Sequence, residues 1–209
     1  MKVVGITQRY YDNDSYAERR DCLDQRWVTF LGKINIMPIP IPNLVTEESY
    51  LFDVIKIDGL IFTGGADIFD SKKGNRKQTK RDKLELKLVK KAEEFSVPLI
   101  GVCRGFQFIN DFFGGSLCQV ENHVSITHKL GFDKEYQGIL PEFVNSYHNN
   151  GISESGLANS LKIMASSTDN HVEAAKHEIL PFLGIMWHPE REEEFKREDL
   201  NLFANHFGT

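Results

Sequence analysis

Two short segments, far apart in the chain, carry residue types that can do covalent chemistry together. The first is Val97-Pro-Leu-Ile-Gly101-Val-Cys103-Arg-Gly105-Phe-Gln107, an apolar run that turns through Gly-x-Cys-x-Gly into a helix-compatible stretch reaching Phe113. Strand, sharp turn and helix with a nucleophile at the turn is the nucleophile-elbow arrangement, here with cysteine in the serine position. Flanking glycines relieve crowding in so tight a turn, and a helix beginning just after Cys103 sets its positive dipole end beside the sulfur, favouring thiolate. The second segment, Leu183-Gly-Ile-Met-Trp187-His188-Pro189-Glu190, is an apolar strand that ends in histidine and glutamate. Extended backbone puts residues i and i+2 on one side, and Pro189 holds the chain away from helix. Glu190 is thus placed to hold the Nδ1 proton of His188, while Nε2 takes the thiol proton and later gives it to a leaving group. Of the seven histidines, His188 alone follows an apolar strand directly and has a carboxylate two residues on. Cys22, read as part of a first helix, and Cys118 are taken as structural thiols.

These groups need a scaffold that brings two strand ends together. Val3-Val4-Gly5-Ile6, Ile34 to Ile41, Asp58 to Thr63 and Val97 to Val102 are apolar runs suited to strands covered on both faces. Between them, Ser15-x-x-Glu18 has the form of a capping box ahead of Tyr16, Leu23, Trp27, Phe30 and Leu31 at helical spacing, ending at Gly32. Asp82 to Phe95 reads as a second helix, and a last one runs from about Glu198 to Phe207. The alternation predicts an α/β fold, a mostly parallel sheet flanked by helices on both faces. In such sheets ligands bind at the carboxyl edge, where Cys103 would sit. Ser116 to Val120, Leu161 to Ser166, Val172 to Lys176 and Phe182 to Trp187 are expected as added short antiparallel strands. No linker, repeat or low-complexity tract interrupts the chain, so residues 1–209 read as one domain.

Composition narrows the chemistry. A net charge of −5 gives no overall attraction to nucleic acid or to anionic membranes. Charges interrupt every apolar stretch well short of the ~20 residues needed to span a bilayer, and the N-terminus lacks a secretory h-region. Three cysteines in no metal-type spacing fit reduced thiols. Together these point to a cytoplasmic protein.

The elbow Gly101-Val-Cys103-Arg-Gly105-Phe-Gln107 and the segment Trp187-His188-Pro-Glu190 resemble the class I glutamine amidotransferase superfamily. Within it they look most like the γ-glutamyl-γ-aminobutyrate hydrolase group of γ-glutamyl hydrolases, the peptidase C26 type. The likeness extends through Phe62-Thr-Gly64-Gly65-Ala-Asp67, Arg81-Asp-x-x-Glu85-Leu, Asn110-x-x-x-Gly114-Gly115, Val144-Asn145-Ser146-x-His148 and Val172-Glu173-Ala174. It implies a flavodoxin-like fold and γ-glutamyl transfer to water through a thioester on Cys103, with His188 and Glu190 completing the triad. It further implies an oxyanion hole of the Gly65 and Arg104 amides, and a glutamyl site lined by Gly64, Gln107, Asn145, Ser146, His148 and Glu173. Arg104 and Trp187 stand where ammonia-donating proteins of the superfamily more often carry leucine and phenylalanine. Asn149-Asn150 replaces a frequent His-Gln pair, and the loop after Asp67 is short and lacks a usual proline. Both departures leave the amine open.

Other readings remain at this point: a glutaminase subunit passing ammonia to a partner synthetase, or a non-catalytic redox-sensing or chaperone-like protein that has no need of His188-x-Glu190. Lys72, Lys73, Arg76, Lys77, Lys80, Arg81 and Lys83 make a basic run after the Gly64-Gly65 loop. It is either a solvated surface or an attractor for a phosphorylated or nucleotide-linked leaving group, such as γ-glutamyl-CDP-amidate in capsule phosphoramidate biosynthesis. His123 and His128 have no carboxylate or cysteine beside them and read as surface or loop residues, so no metal is expected. No phosphate-loop or dinucleotide pattern appears, and no cofactor is implied. The partner is a small-molecule γ-glutamyl substrate; the sequence leaves room for a homodimer.

Overall fold

The computed structural model describes residues 1–13, 15, 17–65, 68 and 78–209. Chain order is β1 (Lys2–Thr7), β2 (Arg9–Asn13), β3 (Glu18–Cys22), α1 (Arg26–Gly32), β4 (Ile36–Ile41), α2 (Ser49–Asp53), β5 (Gly59–Phe62), α3 (Lys80–Phe95), β6 (Leu99–Val102) and α4 (Arg104–Phe112). It continues with β7 (Cys118–Gln119), β8 (Val124–Gly131), β9 (Phe143–Tyr147), β10 (Asn150–Gly151), β11 (Leu161–Ser167), β12 (Val172–His177), β13 (Phe182–Ile185) and α5 (Arg197–Phe207).

Among the described residues one nine-stranded sheet runs β4-β1-β5-β6-β13-β12-β11-β8-β9. From β4 to β13 neighbours are parallel, and beyond β13 every pairing is antiparallel. The parallel half is apolar on both faces. Ile61, Ile100 and Val102 pack with Trp27, Phe30 and Phe203 from α1 and α5, while Leu60, Phe62 and Leu99 pack with Leu84, Leu88, Val89 and Ile109 from α3 and α4. Alternate side chains of one strand therefore feed two cores, which is why these strands read as continuous apolar runs. The expected α/β class and helix-flanked sheet are as read from the sequence.

Three local expectations need correction. Arg9–Asn13 and Glu18–Cys22 form an antiparallel hairpin, so Ser15 and Glu18 do not cap a helix and Cys22 ends a strand. Arg19 bridges to Asp12 across the pair and lies 4.4 Å above the Tyr10 ring, contacts that a helix would abolish. Helix α1 begins after Asp24, whose carboxylate accepts from the Arg26 amide, and of its residues Trp27, Phe30 and Leu31 reach the core. Of the segment Ser116 to Val120, only Cys118–Gln119 is strand, paired with β10 in a separate ribbon. Finally, β13 is antiparallel on one side only: it pairs that way with β12 but lies parallel to β6, with Ile185 beside Val102.

α3 starts one residue after Thr79, whose hydroxyl accepts from the Asp82 amide while Asp82 accepts from the Thr79 amide. This reciprocal cap uses Asp where the usual pattern has Glu or Gln.

Candidate active site

Because β6 and β13 are adjacent and parallel, the residues that follow them emerge side by side at the carboxyl edge of the sheet. Cys103 is the first residue past β6, and its amide donates to the Ile185 carbonyl at 2.7 Å. His188 follows three residues after β13. Sheet order thus closes the sequence gap between nucleophile and base.

Cys103 sits at the N-cap of α4 with φ 52° and ψ −106°, a backbone conformation that L-residues avoid unless their surroundings enforce it. The strain of the elbow falls on the cysteine itself. Gly105 permits α4 to dock: a Cβ there would lie 2.0 Å from the Phe62 carbonyl oxygen. The Cys103 sulfur lies beside the buried His188 ring, whose Nδ1 is 2.7 Å from Glu190 Oε1. Burial opposes charge on the imidazole, but the negative Glu190 and the Cys103 sulfur outweigh it and raise the pKa to about 9. The structure brings Cys103, His188 and Glu190 together, but Glu190 is presented from a 3-10 turn, Pro189–Arg191, and not from the extended backbone expected. Pro189 opens that turn, since a proline at the first helical position gives up no needed N–H.

Other contacts fix the histidine. Asn145 Oδ1 accepts from the His188 amide at 2.9 Å and its Nδ2 donates to the His188 carbonyl at 2.8 Å, a two-point clamp on the backbone. Trp187 Nε1 donates to the buried Asp199 at 2.9 Å. Gly64 lets the imidazole approach, since a Cβ would stand 2.4 Å from its Cε1. Gly65 adopts φ 148°. The Arg104 amide is the first N–H of α4 and so has no partner within the helix.

The Arg104 side chain turns away from the sulfur into a buried cluster. It pairs with Glu85 and Asp82, while Arg81 Nε bonds Glu85 at 2.8 Å and its Nη2 donates to the Thr63 carbonyl at 2.6 Å. Arg81 Nη1 also holds the Gly64 carbonyl at 2.9 Å. The motif Arg81-Asp-x-x-Glu85 thus braces the loop proposed for the oxyanion. Arg81, counted in the sequence as part of a basic attractor, is buried and engaged here. Lys80 and Lys83 are exposed, and Lys72, Lys73, Arg76 and Lys77 lie outside the described residues, as does Asp67.

A narrow cleft bounded by Thr63, Gly64, Gly65, His188 and Glu190 continues past Arg9 and Cys22. It opens toward a cavity of about 310 Å³ lined by Arg9, Tyr10, Tyr11, Cys22, Thr79, Arg81 and Arg104. The β2–β3 hairpin, read as helix in the sequence, forms one wall of that cavity.

The residues expected to line a glutamyl site divide. Gly64 and Gly65 border the cleft. Gln107 is buried with Nε2 on the Asn150 carbonyl at 2.8 Å, and Asn145 holds His188. Ser146 donates to the His123 carbonyl at 2.7 Å, and His148 and Glu173 join His123 in a buried group. His123 is therefore not a surface residue: it is 3 % exposed, its ring edge-on to those of His128 and His171 and tilted against that of His148. His128, also expected at the surface, has a side chain only 10 % exposed and set against Glu173. The carboxylate absent beside these histidines in sequence arrives from β12. The signal available was Glu173 itself, a charge between apolar residues at 172 and 174.

An elbow at the edge of a parallel sheet, with the His–Glu pair on the neighbouring strand, sets the molecule in the class I glutamine amidotransferase fold. A solved structure of a putative GMP synthase component from Thermoplasma acidophilum superposes with TM-score 0.69 over 100 % of this chain and 94 % of its own, at 23 % identity. The family model of peptidase C26 matches residues 2–190, and the chain belongs to that family, an amide-bond hydrolase by class. It is 37 % identical to the γ-glutamyl-CDP-amidate hydrolase of Campylobacter jejuni, over 90 % of each chain. To a glutamine-hydrolyzing component of GMP synthase from Pyrococcus furiosus it is 33 % identical, over 72 % of this chain and 74 % of that one. Among the described residues no helix is long and apolar enough to cross a membrane.

Proposed function

We propose that the chain hydrolyses the γ-glutamyl amide bond of a small γ-glutamyl conjugate. One observation carries this reading: a cysteine held at positive φ at the N-cap of a helix, its sulfur beside a buried histidine that Glu190 orients. In the first step the Cys103 sulfur attacks the γ-carbonyl carbon and the C–N bond breaks. Protonated His188 gives its proton to the departing nitrogen, leaving a γ-glutamyl thioester. Water then enters, His188 takes its proton, the C–S bond breaks, and glutamate leaves with Cys103 restored. The Arg104 and Gly65 amides serve the oxyanion; loss of one such donor costs roughly 2.7–4 kcal/mol of transition-state stabilisation. Gly64 and Gln107 border the glutamyl portion.

The leaving group is a nucleotide-linked amine. The cavity beyond the Gly65 loop has room for one, Arg9 offers it a cation, and Tyr10 and Tyr11 offer faces for a base. The likeness to γ-glutamyl-CDP-amidate hydrolase favours the same choice. Purified protein should release glutamate from γ-glutamyl-CDP-amidate faster than from γ-glutamyl-γ-aminobutyrate, and Cys103→Ala should abolish both. Turnover surviving in Cys103→Ala refutes the mechanism, and equal rates on the two substrates refute the leaving group. A second reading, ammonia supply to a synthetase, is favoured by the GMP synthase matches. It requires that glutamine be hydrolysed only when a synthetase partner is added.

A further inference from the structure

The antiparallel half of the sheet holds a polar cluster that the hydrolysis above does not use. His123 Nδ1, His148 Nε2 and Glu173 Oε1 form a nearly regular triangle with edges of 3.4, 3.7 and 3.7 Å. His128 Nε2 stands 3.5 Å from the other carboxylate oxygen, and the donor atoms of His123, His128 and Glu173 all lie within 4.8 Å of one another. Glu173 is fully buried, yet neither of its oxygens has a hydrogen-bond partner, nor has His128 Nε2.

The outer nitrogens decide which atoms carry protons. His148 Nδ1 lies 3.1 Å from the Asn150 carbonyl oxygen, which can only accept, so Nδ1 carries the proton and Nε2 is bare in the neutral ring. His123 Nε2 lies 3.0 Å from Asp169, which by the same logic leaves Nδ1 bare. Two bare nitrogens that face each other at 3.4 Å and a carboxylate oxygen 3.7 Å from each therefore border one spot. A single proton shared by the rings leaves Glu173 beyond hydrogen-bond distance, whereas a cation within the triangle serves both nitrogens and the carboxylate. Tetrahedral zinc with bonds of about 2.0–2.1 Å has ligand atoms about 3.3 Å apart. The triangle of His123, His148 and Glu173 reaches this by contracting a few tenths of an ångström, and His128, 3.5 Å from the far carboxylate oxygen, must swing in to become the fourth ligand. The Asp169–His123 and Asn150–His148 contacts are the outer hydrogen bonds that metal-bound imidazoles make.

We infer that His123, His128, His148 and Glu173 bind a divalent transition-metal ion, zinc by the nitrogen-rich donor set. Four protein ligands leave no open position, so the ion is structural. It joins β8, β9 and β12 next to Asn145, the residue that clamps His188.

Protein made without a histidine tag should carry about one zinc per chain by elemental analysis. After chelation and dialysis, Co2+ should give the visible bands of a four-coordinate site without a sulfur-to-cobalt charge-transfer band. Binding should persist in Cys103→Ser and fall at least tenfold in Glu173→Gln; if that variant does not fold, metal content and the cobalt spectrum of the wild type decide. Zinc should raise the melting temperature of the stripped protein. Absence of binding at micromolar Zn2+, a thiolate band, or binding undiminished in a folded Glu173→Gln overturns the inference.

Discussion

Two buried ionic arrangements flank the elbow of Cys103, and they differ in completeness. In the arginine cluster Glu85 has both oxygens occupied, one by Arg81 and Thr7 and the other by Arg104. In the pair proposed for catalysis Glu190 binds His188 through one oxygen, and the other has no hydrogen-bond partner. Saturated charges cannot move without exposing a buried ion, so they brace. The unsaturated pair keeps a proton that can be passed on.

The sharpest test exchanges the weaker member. Glu190→Gln keeps the size of the side chain but no longer favours imidazolium, and kcat should fall on the order of 10³-fold with little change in melting temperature. Steady-state kinetics beside calorimetry checks this, and a large loss of stability with modest loss of rate would equate the two arrangements.

The reverse pattern belongs to Glu85→Ala, which removes the carboxylate shared by two buried guanidinium groups and leaves only Asp82, among the described residues, to balance them. It should cost roughly 3–5 kcal/mol of unfolding free energy in denaturant titrations. Any loss of activity there should track the folded fraction.

Titration separates the two again. His188 has a pKa near 9 in the folded chain against 6.5 when free. Its contribution to stability is therefore complete below pH 6.5 and disappears as pH rises through about 9, at no more than about 1.4 kcal/mol per pH unit. Over the same window kcat/KM should decline as the proton needed by the leaving amine is lost. In Glu190→Gln that decline should move to lower pH. A basic limb that stays in place means that another group controls it.

Where the sequence was legible, one physical rule acted locally. Apolar runs such as Leu60-Ile61-Phe62 marked doubly covered strands, and Gly101-x-Cys103-x-Gly105 marked the turn because a Cβ at 105 would strike Phe62 and one at 101 would strike the Gly105 backbone. His188 and Glu190 were readable as a pair from their closeness in the chain, but the extended backbone expected between them is in fact a 3-10 turn, Pro189–Arg191, and that turn sets the carboxylate against the ring. What escaped depends on long-range pairing. The parallel neighbour of β13 is fixed by sheet order, and Glu173 meets His123 only after three antiparallel strands align. The hairpin before α1 was masked by Tyr16, Leu23 and Trp27, whose spacing mimics a helix face.

That hairpin supplies the mildest test, since it sets the same residue types in water. Arg19 and Asp12 pair an arginine with an aspartate as Arg104 and Asp82 do, but here both side chains are more than half exposed. Solvent screens the attraction, and side-chain ordering opposes what is left. A double-mutant cycle with Asp12→Ala and Arg19→Ala should give a coupling indistinguishable from zero in unfolding free energy. Because Tyr10 lies beneath Arg19 and lines the cavity, the same variants should raise KM a few-fold for γ-glutamyl-CDP-amidate while leaving γ-glutamyl-γ-aminobutyrate untouched. A measurable coupling would show that the exposed pair braces as the buried one does, and KM values that move together would detach the hairpin from the choice of leaving group.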